Sequence, residues 1–402
     1  MTFNIWEDCI KIPLPEVLSF IVDNRGKTVP TAKSGHILIA TNCIRNENLY
    51  PTYEKVRYLS DDTYKNWFRA HPKSGDIIFV NKGTPGRTCM VPYPVDFCIA
   101  QDMMALRANE KIIYNRYLLA VLRSREIQSQ ITNTSVGDII PHFKKSFLDQ
   151  IQVPVPTMEF QHIIGDYYFA FSNKIELNKK INENLELQCY AFYRELFVNN
   201  LKPDWAMGTV ADIGNVVGGS TPSKAKLEFY TEKGIPWITP KDLSNDKSKF
   251  ISRGEIDITM LGLKNSSTNI MPKGTVLFSS RAPIGYIAIA NNEVTTNQGF
   301  KSIVPIEPHS TAFVYFFLKD NIGIIENMAS GSTFKEISGS TMKTVPAFIP
   351  DVETLHSFNE FCKPLFEQQR LLEDENRILT SLRDSLLPKL MSGEIDVSNV
   401  TI

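Results

Sequence analysis

The sequence contains no run of about 20 apolar residues. It also does not begin with a basic stretch followed by an apolar core. The first absence excludes a membrane-spanning helix, and the second predicts that no secretory signal is present. Cysteine is scarce: six cysteines are scattered over 402 residues without a CxxC spacing. Such scatter argues against a zinc or disulfide framework and favours reduced thiols. We therefore expect a soluble cytoplasmic protein of two to four domains.

Familiar catalytic motifs are missing as well. The chain contains no Pro-Pro, which removes the Asn-Pro-Pro-Tyr type of motif that amino-methyltransferases use. Its six histidines form no HExxH motif and no pair with metal-ligand spacing. Gly26-Lys27-Thr28 ends like a phosphate-binding loop, but Ile21 stands where that loop requires glycine. We predict no catalytic residue, no metal site and no enzymatic activity. A nuclease or DNA methyltransferase with an unrecognised site is the alternative, and a protein-binding scaffold is a third possibility.

Two long stretches, Glu159–Phe197 and Glu353–Met391, place apolar side chains at alternating steps of four and three. This spacing predicts two long helices, each with the narrow seam of a coiled coil. A helix of about 38 residues is about 55 Å long and needs a partner, most economically the other copy. Pro364 predicts a kink or a late start in the second helix. The seam residues that we expect to pair are Ile175, Asn182, Leu185, Leu372, Asn376 and Leu379.

Sequence similarity between the two halves extends beyond the helices. Gly35–Thr41 corresponds to Gly234–Pro240 at an offset of about 199 residues, and the offset falls to about 194 in the helices. A nearly constant offset predicts two copies of one unit. We expect an α+β fold with two strand-rich globular domains at residues 1–156 and 201–350. The long helices then occupy residues 157–200 and 351–402, the latter with the C-terminal tail.

Basic residues concentrate in the two globular parts. Residues 24–92 contain about 11 Lys/Arg against 5 Asp/Glu, whereas residues 351–396 contain about 5 against 10. Lys and Ser/Thr hold phosphates, and Arg, Asn and Gln read base edges, so these loops predict contact with an anionic polymer. The candidate residues are Arg25, Lys27, Lys33, Asn42, Arg45, Lys55, Arg57, Lys82 and Arg87 in the first part, and Ser220, Thr221, Lys224, Lys226, Lys241, Lys247, Lys249, Ser279, Ser280, Arg281 and Gln298 in the second.

Several of these motifs resemble a known family, the DNA specificity subunits of type I restriction-modification systems. The resemblance covers nearly the whole chain, although in the first part Asn24–Pro30 departs from the Gly-rich pattern of the second. It rests on Gly218-Gly219-Ser220-Thr221-Pro222, Gly234–Leu243, Gly274–Gly285, Thr296–Phe300, Gly331–Thr333, Lys174–Leu185 and Leu382–Glu394.

This resemblance implies two target recognition domains that each read one half of a bipartite site in double-stranded DNA. It also implies that the long helices pair antiparallel, set the distance between the domains and dock methyltransferase subunits. The chain itself would carry no cofactor, because S-adenosylmethionine belongs to the methyltransferase. A restriction and translocase subunit would complete the assembly.

Overall fold

The computed structural model describes residues 4–24, 27–137, 140–281, 283–331 and 335–395. The chain divides into two compact units. Unit 1 comprises residues 1–178 and 376–402, and unit 2 comprises residues 179–375. Each unit therefore contains one globular part and a segment of each long helix. Of the helices in the described ranges, none is long and apolar enough to cross a membrane.

The predicted mixture of helices and strands is confirmed. The strands are β1 (Ile10–Pro13), β2 (Leu18–Val22), β3 (His36–Ile39), β4 (Arg57–Leu59), β5 (Ile77–Val80), β6 (Thr88–Met90), β7 (Phe97–Ile99), β8 (Met103–Ala108), β9 (Gln152–Val155), β10 (Ala206–Thr209), β11 (Gly214–Gly218), β12 (Tyr230–Thr231), β13 (Ile235–Ile238), β14 (Phe250–Ile251), β15 (Ile256–Ile258), β16 (Val276–Ser280), β17 (Ile284–Ala290), β18 (Thr295–Thr296), β19 (Lys301–Pro305) and β20 (Pro346–Ile349). The helices are α1 (Asp61–Asn66), α2 (Asn115–Arg123), α3 (Arg125–Thr134), α4 (Met158–Arg194), α5 (Val210–Ile213), α6 (Pro240–Asn245), α7 (Met260–Lys264), α8 (Thr311–Asp320), α9 (Ile322–Met328), α10 (Gly339–Lys343) and α11 (Val352–Met391).

Both units have the same strand topology. Unit 1 contains sheets of order β2-β8-β5-β6, β4-β3-β7 and β1-β9. Unit 2 repeats them as β11-β19-β16-β17, β15-β13-β18 and β10-β20, and adds β14 and β12 at sheet edges. The β4-β3-β7 sheet and its counterpart in unit 2 each contain one parallel pair, β3 with β7 and β13 with β18. The predicted internal repeat is therefore a repeat of fold.

The central strand of each unit is buried on both faces. In β5, Ile77 and Phe79 enter one apolar cluster, and Ile78 and Val80 enter another. In β16, Val276 and Phe278 likewise pack into a different cluster from Leu277. Side chains alternate across a strand, so a continuous apolar run such as Ile-Ile-Phe-Val forms a strand that is covered on both sides.

Equivalent glycines begin the turns before these strands. Gly75 has φ +84° and Gly274 has φ +86°, in the left-handed region that favours glycine. A Cβ added at Gly75 would lie 2.9 Å from Asn115 Nδ2, and one added at Gly274 would lie 2.9 Å from Thr311 Oγ1. Those two side chains donate hydrogen bonds to the glycine carbonyls at 3.3 and 2.8 Å, respectively. The same tight turn therefore occurs in both copies.

In unit 1 the two long helices pair antiparallel. Asn178 Nδ2 on α4 donates to Asn376 Oδ1 on α11 at 2.9 Å. Ten residues earlier on α4, the Tyr168 ring lies 5.6 Å from the Arg383 guanidinium. Residue numbers therefore rise along one helix as they fall along the other.

Unit 2 pairs its own segments of these helices in the same sense. Asn182 Nδ2 donates to the Gln369 carbonyl at 3.3 Å, and Gln369 Nε2 donates to the Asn182 carbonyl at 2.9 Å. Farther along, the rings of Phe192 and Phe358 lie 6.1 Å apart. The polar seam positions thus hydrogen-bond across the helix pair, and the apolar ones pack.

The second long helix passes through Pro364 without interruption. It begins at Val352, so the late start that Pro364 led us to expect is wrong. Pro364 is exposed, as is Glu360 one turn earlier, whereas Cys362 and Phe366 are buried. Because the residue that loses its intrahelical partner faces solvent, water can replace the missing bond while the buried side keeps its packing.

Candidate nucleic-acid interface

The Gly-rich segment after β11 lies against the segment that leads into β19. Ser220 N donates to the Thr296 carbonyl at 3.0 Å, and the Thr221 hydroxyl donates to Gln298 Oε1. A Cβ at Gly219 would lie 2.1 Å from the Asn297 carbonyl oxygen, so only glycine permits this approach. The fold thus brings together Thr221 and Gln298, two candidates that are 77 positions apart.

The carbonyl of Ser220 anchors this segment to the rest of unit 2. It accepts hydrogen bonds from Trp237 Nε1 at 3.0 Å and from Thr268 Oγ1 at 3.1 Å. The hydroxyl of Tyr230 donates to the neighbouring Pro222 carbonyl at 2.5 Å. The surrounding side chains therefore hold in place the loop that carries Ser220 and Thr221.

An ion cluster lies next to Gln298. Arg281 Nη1 is 3.3 Å from Glu336 Oε2, and Lys301 Nζ is 3.5 Å from Glu336 Oε1. Lys301 also donates to the Gln298 carbonyl at 3.4 Å. Arg281 and Gln298 were predicted from the sequence, whereas Lys301 and Glu336 were not. No spacing pattern links these two residues, because their proximity arises from strand pairing.

Ser279 and Ser280, at the end of β16, are fully buried. The Ser279 hydroxyl donates to the Pro283 carbonyl and accepts from Tyr286 N, both at 2.8 Å. The Ser280 hydroxyl accepts from Lys301 at 3.4 Å. Both side chains are therefore engaged inside the domain, and we leave them out of the proposed contact surface.

Four lysine candidates of unit 2, Lys224, Lys226, Lys241 and Lys247, are exposed. Lys241 pairs with Glu255 at 2.8 Å, and both side chains are well exposed. Their hydrogen bond raises the pKa of Lys241. No ion pair joins Lys224 to any described residue, and its side chain is open to solvent.

In unit 1, two candidates converge on one acidic residue. Arg45 Nη2 lies 2.8 Å from Glu54 Oε2, and Asn42 Nδ2 donates to the Glu54 carbonyl at 2.6 Å. Both candidates come from the turn that follows β3. Arg25 lies outside the described residues.

Six candidate cations of unit 1 remain open to solvent. Each is exposed and forms no ion pair with a described residue. They are Lys27, Lys33, Lys55, Arg57, Lys82 and Arg87. Cations of this kind can neutralise phosphates without first breaking an internal bond.

The two units build their loop clusters at equivalent places. Lys82 forms an isolated backbone bridge with His142, and Arg281 forms one with Glu336. Offsets of 199 and 194 residues relate these two pairs, which are the offsets of the repeat. A basic side chain thus occupies the same position in both units, but its neighbour is His142 in one and Glu336 in the other.

Comparison with known proteins agrees with this architecture. The family described as "Type I restriction modification DNA specificity domain" matches residues 27–187 and 202–379. The chain belongs to the type I restriction-modification DNA specificity family.

Two curated relatives carry similar names. The MjaIX specificity subunit of Methanocaldococcus jannaschii is 41% identical over 190 residues, which are 45% of this chain and 44% of that protein. The HindI specificity subunit of Haemophilus influenzae is 24% identical over 403 residues. That alignment covers 80% of this chain and 87% of the HindI subunit. A solved type I S subunit from M. genitalium has a TM-score of 0.57 at 16% identity, covering 92% of this chain and 96% of its own, and supports the shared fold.

One basic residue of this specificity-family chain was wrongly assigned. Lys249 was a candidate for DNA contact, but its side chain is only 8% exposed and lies 2.5 Å from Glu186 Oε2 on α4. Its Nζ lies 3.4 Å from the centre of the Phe366 ring and donates to Gln369 Oε1 at 2.9 Å. Lys249 therefore attaches the globular part of unit 2 to the helix pair.

Unit 1 uses Arg123 for a similar attachment. This partly buried guanidinium donates to the Asn48 carbonyl at 2.7 Å and to the Tyr168 hydroxyl on α4 at 3.2 Å. Each unit thus has a basic side chain that links its globular part to a long helix.

Of the seam positions named from the sequence, Asn182 and Asn376 hydrogen-bond across the helix pair. Ile175 and Leu185 are buried, and Leu372, Asn376 and Leu379 are partly buried. Within the described ranges, no three His, Cys, Asp or Glu side chains come close enough to hold a metal ion.

Proposed function

We propose that this chain is the DNA-recognition subunit of a type I restriction-modification complex and catalyses no reaction itself. Each globular domain, residues 1–156 and 201–350, reads one half of a bipartite site in double-stranded DNA. The observation that carries the proposal is the repetition of one fold with its polar loop cluster at the same place, around Lys82 in one copy and Arg281 in the other. Two similar recognition domains in one chain match a bipartite DNA site, with one domain for each half-site.

The open cations support contact with a duplex. Neutralising phosphates releases counterions, so binding through Lys27, Lys33, Lys82, Arg87 and Lys224 weakens steeply with salt. Arg281 and Gln298 have the donors and acceptors that read guanine and adenine edges in the major groove. Phosphate contacts then position each domain, and these side chains select the sequence.

Exposed apolar residues on the long helices support docking of methyltransferase subunits. Tyr167 and Phe361 are 42% and 41% exposed, and Leu177 and Leu371 are 48% and 53% exposed. Each pair is related by the helix offset of 194 residues, so the same outward positions are apolar in both copies. Exposed apolar groups at repeated positions are typical of a protein interface. The methyltransferase then supplies S-adenosylmethionine, a restriction and translocase subunit joins the complex, and the assembly acts in the cytoplasm.

DNA selection by the chain with its methyltransferase subunit tests recognition. The complex is incubated with a library of random duplexes, and the bound fraction is sequenced at several salt concentrations. We expect a bipartite consensus whose affinity falls log-linearly with salt. Absence of any bipartite preference refutes the proposal. Turnover of labelled S-adenosylmethionine, or metal-dependent cleavage, by the isolated chain favours the catalytic alternative.

Charge placed on the apolar helix positions tests docking. Tyr167→Glu and Phe361→Glu should each weaken methyltransferase binding, because burying an unpaired carboxylate at an interface is unfavourable. The outward-facing Gln188→Glu on α4, whose side chain is exposed, serves as a matched control. The measurement is the mass of the purified complex. Equal behaviour of all three variants contradicts docking at these positions.

A further inference from the structure

Glu336 is an unusual neighbour for a phosphate-binding surface. Its carboxylate lies between Arg281 and Lys301, at 3.3 and 3.5 Å, and the side chains of Glu336 and Arg281 are each 38% exposed. A carboxylate repels phosphate, so this cluster is less suited to the DNA backbone than the open lysines are. It combines donors and an acceptor within one solvent-facing group.

The Glu336 side chain is not needed to attach its own loop. Backbone bridges already join Glu336 to Arg281 and to Ser330. Glu336 N donates to the Ser330 carbonyl at 2.9 Å, and Ser330 N donates to the Glu336 carbonyl at 3.1 Å. A half-exposed ion pair adds little stability to such a loop, because water screens the two charges. The carboxylate is therefore available for another role.

The chemistry of the Arg281–Glu336 pair matches one kind of base pair. In the major groove, cytosine presents an N4 amino donor beside the O6 and N7 acceptors of its guanine. Glu accepts from cytosine N4, and Arg donates to guanine O6 and N7. A donor and an acceptor held 3.3 Å apart can engage both bases of one pair.

We propose that Arg281 and Glu336 together read a cytosine–guanine pair in the half-site bound by the second domain, with Lys301 holding the carboxylate in place. This inference rests on the proposed function. The first domain has Lys82 and His142 at the equivalent positions and therefore lacks the carboxylate acceptor. The two half-sites accordingly differ at this position.

The test uses the full chain with its methyltransferase subunit and duplexes randomised in both half-sites. The variants are Glu336→Ala and Arg281→Ala, with Glu255→Ala as the control, because Glu255 forms an exposed ion pair elsewhere in the same unit. Bound duplexes are sequenced, and thermal melting checks that each variant folds. Glu336→Gln replaces Glu336→Ala if the latter unfolds.

We expect both variants to lose about 5- to 150-fold of preference at the same cytosine–guanine pair, the discrimination of one bidentate contact. Other positions and the control keep their preferences. Two outcomes overturn the inference even if the wild type selects a bipartite site. One is an equal loss of affinity for every duplex. The other is a loss of preference at a base pair that is not cytosine–guanine, or at two different base pairs for the two variants. A wild-type complex without any bipartite preference overturns the proposed function as well.

Discussion

At the residue scale, Lys249 shows how burial changes the role of a basic side chain. Burial lowers the pKa of Lys249, and the nearby carboxylate of Glu186 opposes this change. Burial raises the pKa of Glu186, but Lys249 and Lys319 outweigh it and hold the pKa below its ordinary value. Each group therefore opposes the change that burial makes to the pKa of the other.

Removing one partner of this pair should be costly. Lys249→Ala leaves Glu186 buried beside the aromatic rings without its main counter-ion, and loss of one buried partner costs about 3–5 kcal/mol. Lys241→Ala breaks an exposed pair with Glu255 and should cost much less, because water screens both charges. Urea unfolding of both variants measures the difference. Similar small losses would show that Lys249 does not attach the domain to the helices.

Some members of the loop cluster were predictable from the sequence and others were not. Thr221, Arg281 and Gln298 were named because residue type and the repeat pointed to them. Lys301 and Glu336 were missed because contact between strands brings them to the cluster. Lys249 was misassigned because a lysine in a basic segment is usually solvated, and only packing against α4 and α11 buries it.

At the element scale, polar residues interrupt the apolar seam of the helix pair. Asn178 and Asn376 hydrogen-bond at 2.9 Å in unit 1. Such a bond can specify register at a cost in stability. The seam was predictable from the residue types. The pairing of Asn178 with Asn376, in contrast, depends on the register of the antiparallel helices.

Replacement of the asparagine pair should show whether the hydrogen bond or apolar packing contributes more to the stability of the seam. The single variant Asn178→Leu leaves Asn376 without this partner and should lower the melting temperature, because an unmatched polar group in a seam costs about 1–3 kcal/mol. The double variant Asn178→Leu/Asn376→Leu should recover or exceed the wild-type melting temperature. Circular dichroism measures both. A double variant less stable than the single would mean that the hydrogen bond outweighs apolar packing.

The start of α11 depends on a charged cap. Asp351 accepts hydrogen bonds from Lys202 Nζ at 2.8 Å, from Trp205 Nε1 at 2.9 Å and from Thr354 N at 2.8 Å. The hydrogen bond from Lys202 is the main reason that the pKa of Asp351 lies below its ordinary value of 3.8. A carboxylate with a lowered folded-state pKa stabilises the fold fully above its ordinary pKa. That contribution is lost as the pH falls toward the folded-state value.

The cap should therefore make stability depend on acid pH. Asp351→Asn should melt at a lower temperature than the wild type at pH 7, because the asparagine lacks the charge that Lys202 requires. The difference should shrink as the pH falls below 3.8, because the carboxylate then takes up a proton in the unfolded chain before it does so in the folded protein. Melting curves at pH 7, 4 and 3 provide the measurement. A difference that stays constant with pH would exclude the ionised carboxylate as its cause.

At the scale of the whole molecule, the proposed spacing role of the long helices follows from helix geometry. One heptad adds about 10.5 Å to a helix and keeps the seam in register. That length corresponds to about three base pairs of B-DNA at about 3.4 Å each. A change in helix length should therefore become a change in the gap between half-sites.

Insertion of seven residues into both long helices tests this role. The insertions are placed after Asn178 in α4 and after Glu375 in α11, where the two units meet along the sequence. We expect the methylated site to gain about three base pairs of gap while both half-sites stay unchanged. Sequencing of modified bases in a strain that expresses the variant complex gives the result. Insertion into α4 alone is the control and should abolish modification, and an unchanged gap would exclude the spacing role.

The sequence by itself determined the repeat, the seam and the composition of the loops. These are local or periodic properties, which the order of residues specifies directly through side-chain spacing and turn chemistry. Tertiary structure decided which side chains meet. It buried Lys249 against Glu186, brought Glu336 to Arg281 and Lys301, and kept α11 helical through Pro364. Each of these outcomes depends on contacts between residues distant along the chain, and the burial that they create sets the energy of every charge and hydrogen bond involved.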